Sequence, residues 1–236
     1  MTQRHRTSIV AILLALLAPL SCCAADLTAT EKRWLQGVWP VVAFAKESRM
    51  PLDIVVQPQP APGLPPLALG FVDGRCKLVF SMRDNPEAQA TLERLDPDLA
   101  DAALELMAAH ELGHCKRYLD GAWHGLPAGF AASVPEALSP ELRTEYANMK
   151  AARREEAYGD LVGLAWTSAH RPQQYAAVRA WLLAERTTDL IEGAHHDTLV
   201  WLRLAAHGEA FSDPSIFVSA TRLWLAGLAA DKTGAK

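Results

Sequence analysis

Ala108-Ala109-His110-Glu111-Leu112-Gly113-His114-Cys115 lies within the stretch of strongest helical character in the chain. From Asp96 to Leu119, alanine and leucine dominate, and both favour helix. Asp96, with Pro97 and Asp98 behind it, predicts the helix start, because a side-chain acceptor, a fixed φ and negative charge all suit that end. Asp120-Gly121 predicts its close. On a helix, residues four apart share a face about 6 Å apart along the axis. The imidazoles of His110 and His114 can then both reach one zinc ion. Glu111 points to the same side too obliquely to coordinate, and suits a base that takes a proton from water. Such a polar trio in an apolar helix is costly to bury without a metal or partners.

A zinc site with three protein ligands needs one more. A third histidine six residues past His114 would fall at Asp120, and the glycine expected before it is Arg117. His124 follows a glycine and has no spacing logic. Glu156 is the better candidate, because Asp160 lies four residues further and shares its helical face. Glu156 can bind the ion while Asp160 accepts a hydrogen bond from the outer ring nitrogen of a ligand histidine. Glu155 points about a quarter-turn away, toward arginine partners. The competing reading is a solvated acidic face salted with Arg153 and Arg154.

Strand signals precede the motif. Leu52 to Val56, Leu67 to Val72 and Cys76 to Met82 are rich in residues that suit a pleated surface. Pro58 to Pro66 reads as an extended loop, and Asp73-Gly74 as a tight hairpin. Leu27 to Lys46 predicts a helix ahead of them, with Trp34, Val38, Val41 and Val42 on one side. Ser139-Pro140 predicts the start of a long helix to about His170, with a break allowed near Asn148. Shorter helices are expected over roughly 173–187, 197–208 and 214–229. This order predicts an α+β fold with a small N-terminal sheet, an active-site helix and a mainly helical C-terminal part. Gly121 to Leu138 reads either as a packed surface loop or as a cleft wall.

H-E-x-x-H followed by E-x-x-x-D resembles the gluzincin group of thermolysin-like zinc metallopeptidases. The resemblance covers these motifs and the element order, about a third of the chain. It implies a zincin-like fold, zinc on His110, His114 and Glu156, Glu111 as catalytic base, and a peptide or protein substrate. It also implies that the strand before the catalytic helix, here Cys76 to Met82, edges the cleft and pairs with extended substrate. Members of the group supply a Tyr or His to the developing oxyanion. His195 and His196 are the first candidates here, with Asp197 as orienter or as helix cap, and Tyr158 is the second. Arg186 is a further residue that can reach the cleft, without a sequence signal to favour it. A non-catalytic envelope protein keeping a zinc site for binding or assembly is the alternative. A closed structural site needs four ligands, and Cys115, about 100° round the helix from His114, is badly aimed as the fourth.

The remaining features bound the setting. In 236 residues with a net charge of -4 there is room for one well-cored domain and no basic face for nucleic acid. Arg4, His5 and Arg6, then the apolar run Ile9 to Leu20, then Ser21, Ala24 and Ala25, predict an export signal over residues 1–25 and a single domain over 26–236. That apolar run is shorter than the roughly 18–20 residues a spanning helix needs. A bacterial periplasmic location follows. Leu20-Ser21-Cys22-Cys23 resembles a lipoprotein processing motif, so membrane attachment by lipid at Cys22 or Cys23 is the second option. Cys76 and Cys115 then remain, either as a disulfide or as two buried thiols.

Overall fold

Asp73 and Gly74 both have positive φ, 51° and 73°, and turn the strand Leu67–Val72 back onto Arg75–Arg83. The hairpin expected from these two letters is therefore present, and positive φ at both central residues matches the twist of the strands. In this computed structural model, residues 26–58, 63–121 and 139–232 are described. The expectations for residues 1–25, Cys22, Cys23, His124, the centre of the proline-rich loop and most of the Gly121 to Leu138 segment lie outside them.

In chain order the described elements are α1 (Ala29–Glu47), β1 (Leu52–Pro58), β2 (Leu67–Val72), β3 (Arg75–Arg83), α2 (Pro86–Arg94), α3 (Ala100–Leu119), α4 (Pro140–His170), α5 (Tyr175–Thr187), α6 (Leu199–Leu204) and α7 (Ile216–Lys232). The fold is α+β. A mixed three-stranded sheet runs β1-β3-β2, with β1 parallel and β2 antiparallel to β3. The expectation that Cys76 to Met82 edges a cleft is corrected here. That strand is the centre of the sheet, and both of its hydrogen-bonding edges are taken. The antiparallel edge is β2, whose Phe71 ring stacks on Tyr118 of α3 with centroids 4.9 Å apart.

α1 buries Trp34, Val38, Val41 and Ala45, and Trp34 Nε1 donates to the Ala88 carbonyl at 2.9 Å. Its start is a capping box, in which Thr28 and Glu31 exchange side-chain and backbone hydrogen bonds. α2 has only Ala88 buried, so its hydrophobic pattern does not reveal it. Asn85 caps it, its side chain accepting from the Glu87 amide at 3.1 Å.

α3 begins later than Asp96. The Asp96 carboxylate accepts from the Asp98 amide at 2.9 Å, closing a turn of its own instead of capping the helix. Leu99 takes the cap position with no side-chain bond. α4 runs unbroken through Asn148, started by Ser139, which accepts from the Leu142 amide. α6 is shorter than expected, ending at Leu204 before a 3-10 turn at Gly208–Ala210.

α3 and α4 form the centre of the helical part, and small residues bring them together. A Cβ on Gly113 would lie 3.2 Å from the Gly159 Cα and from Val162, so this crossing tolerates little more than hydrogen. On its other side α3 is tied to the sheet by a Cys76–Cys115 disulfide, with Cα atoms 5.7 Å apart. The two-thiol alternative is thereby set aside.

Candidate metal centre

His110 and His114 lie one turn apart on α3 and face α4. Their Nε2 atoms are 3.0 Å apart. Glu156 closes the group from α4, with Oε2 3.4 Å from His110 Nε2 and Oε1 3.5 Å from His114 Nε2. All three ligand atoms lie within 4.8 Å of one another. Both histidines are buried, and the Glu156 side chain is 22% exposed, so the group opens to solvent on the carboxylate side.

The close crossing of the helices sets this geometry. A Cβ on Gly159 would fall 2.7–2.9 Å from three atoms of the His110 ring, so glycine is what lets the ring lie flat against α4. Behind the ring, Asp160 Oδ1 is 3.0 Å from His110 Nδ1. Asp160 is fully buried. It also accepts from Arg186 Nε at 2.9 Å, Arg186 Nη2 at 2.6 Å and Thr198 Oγ1 at 2.6 Å. Burial works against its charge, but Arg186 and His110 outweigh it and hold the carboxyl well below the usual range. An ionised Asp160 can only accept, so His110 must donate from Nδ1. Nε2 of His110 is therefore the atom aimed at the other two ligands.

Burial also disfavours an imidazolium at His110, yet Asp160 and Glu156 on either side push its pKa up, to about 10. Two carboxylates against the single charge of Arg186 leave the site short of a cation. Burial raises the Glu111 carboxyl, against the opposing pull of His110 and His114.

His196 is exposed, with Nε2 3.7 Å from Glu156 Oε2. Burial and the nearby Arg186 lower its pKa. His195 is exposed beside it, with ring centroids 4.0 Å apart. Tyr158 is not at this site, contrary to its candidacy. Two residues from Glu156, it projects from another side of α4, buried against Trp224, with its hydroxyl 3.5 Å from Thr221. Burial pushes its hydroxyl up to about 12.

Asp197 neither caps α6 with its side chain nor faces the imidazoles in the described contacts. It accepts from the Gly193 amide at 2.8 Å and pairs with Arg153 at 3.4 Å. The solvated acidic face is overturned too, because Arg153, Arg154 and Glu155 are all buried. Glu155 receives two bonds of 2.8 Å from Arg117 on α3. Asp120 pairs with Lys116 at the surface.

Arg186 and Thr198 are residues of the candidate site that sequence reasoning did not secure. They sit on α5 and at the start of α6, and only the tertiary fold carries them to Asp160. No local pattern marks either.

Comparison with known proteins found no matching family model, no matching curated protein and no matching solved structure. The site's own chemistry is therefore what bears on function. Two imidazole nitrogens and one carboxylate, gathered at one point and short of positive charge, can hold a divalent metal ion.

Proposed function

We propose that the protein is an exported zinc-dependent peptide hydrolase of the gluzincin type, with a zincin-like fold. The observation that carries this reading is the convergence of His110, His114 and Glu156, with Asp160 fixing the outer nitrogen of His110. A His-His-Glu set suits zinc and leaves a coordination position free. The raised pKa of His110 fits as well, since a metal ion would take the place of the proton that the two carboxylates attract. A disulfide in the core accords with an oxidising compartment.

A bound zinc ion would supply Lewis acidity toward a peptide carbonyl and toward water. Glu111, its carboxyl raised by burial, takes the proton from the attacking water and delivers it to the departing amine. Asp160 holds His110 in one tautomer, and Arg186 and Thr198 hold Asp160. We assign support of the oxyanion to His196, which stands beside Glu156 on the open side. The outer edge of β2, which pairs with no strand among the described residues, suits an extended peptide added as a further strand.

The test is metal analysis of the wild-type protein and the His114→Ala and Glu156→Ala variants, with a peptide-library cleavage assay on each. Stoichiometric zinc and cleavage are expected in the wild type, with zinc affinity strongly weakened but still measurable and cleavage lost in the variants. Full zinc loading in Glu156→Ala would remove the third ligand and with it the proposed site.

A further inference from the structure

The two ligand histidines are supported differently. His110 is anchored from behind by Asp160, and Gly159 packs against its ring. Among the described residues His114 has no such anchor, and its buried Nδ1 lacks a hydrogen-bond partner. Metal-binding histidines normally donate that second nitrogen, which fixes the ring and raises its basicity. Behind the ring, His114 is therefore held by its backbone, while its Nε2 meets only the other two ligands among the described residues.

That backbone is fastened one residue further on. Cys115 follows His114, and a step of about 100° turns it from α4 toward the sheet. There it is bonded to Cys76. Cys76 stands in β3, between Leu52 of β1 and Phe71 of β2, so the anchor is the central strand, held on both sides. The Phe71–Tyr118 stack one turn along α3 adds a second, weaker contact to the same sheet. We propose that the Cys76–Cys115 disulfide is the positioning element of His114, fixing its backbone where Asp160 fixes the ring of His110. The inference rests on the metal reading above. Under it, the disulfide sets metal affinity as well as fold stability.

A double-mutant cycle on zinc affinity, read by competition with a chromophoric chelator, tests this. Cys76→Ala/Cys115→Ala removes the link without leaving thiols that bind zinc, and Cys76→Val/Cys115→Ala partly refills the volume should the first variant not fold. With far-UV circular dichroism unchanged, zinc binding is expected to weaken about ten- to a hundred-fold, as for loss of a supporting partner. In a His114→Ala background the same removal should change affinity by less than about twofold, since the residue it positions is gone. A lower melting temperature with unchanged zinc affinity would make the disulfide a staple only and overturn the proposal. Equal losses with and without His114 would overturn it as well. Absence of zinc binding in the wild type is a different failure, because it removes the metal reading and this inference together.

Discussion

Asp160 Oδ1 lies 3.0 Å from His110 Nδ1, and the same carboxylate is held by Arg186 and Thr198. Asp160→Asn keeps the shape but lets the side chain donate, so the tautomer of His110 is no longer enforced. Zinc affinity is expected to fall about ten- to a hundred-fold, measured by chelator competition. Unchanged affinity would mean that Asp160 serves packing alone.

Glu111 stands next to a ligand without being one. In Glu111→Gln, zinc content should stay near that of the wild type while peptide cleavage drops about a hundred- to ten-thousand-fold. Paired metal analysis and turnover measurements check this. Substantial turnover in the variant would exclude Glu111 as the base.

Gly159 leaves no room for a side chain, since a Cβ would sit 2.7–2.9 Å from the His110 ring. Gly159→Ala, although it favours helix, is expected to destabilise by roughly 1–3 kcal/mol through overpacking and to weaken zinc binding. Denaturant melts with and without zinc would show both effects, and a stabilised variant would contradict the close approach.

Tyr158 and His196 are separated by their surroundings. Tyr158→Phe removes only a long contact to Thr221, so it should cost at most about 1 kcal/mol of stability and leave turnover unchanged. His196→Ala should lower turnover with zinc retained. The opposite ranking would reverse the assignment of the oxyanion support.

Glu31 links stability to acid. Burial opposes its charge, but Arg83 at 2.8 Å and the Thr28 cap hold its carboxyl below the ordinary value of 4.5. A folded-state pKa below the unfolded one gives stabilisation that is complete above about 5 and fades as pH falls through the folded value. The wild type should therefore melt above Glu31→Gln at pH 7, with the gap narrowing below pH 4.5. A gap independent of pH would show that charge at Glu31 contributes nothing.

The sequence by itself determined the parts of this protein that are local. The His110 and His114 spacing, the helix that carries it, the Asp73-Gly74 hairpin, the Ser139 start of α4 and the shared face of Glu156 and Asp160 depend on periodicity and turn chemistry over a few residues. The fold class follows from their order. Only the tertiary structure decided which strand lies central, because β3, besides its hairpin with β2, also pairs in parallel with β1, Leu52 beside Cys76, and no letter in Cys76 to Met82 records that. It also decided that Tyr158 is buried beside Trp224 and that Arg186 and Thr198 reach Asp160. Those outcomes depend on what meets each side chain across the fold, and such meetings are set by the packing of whole elements rather than by neighbours along the chain.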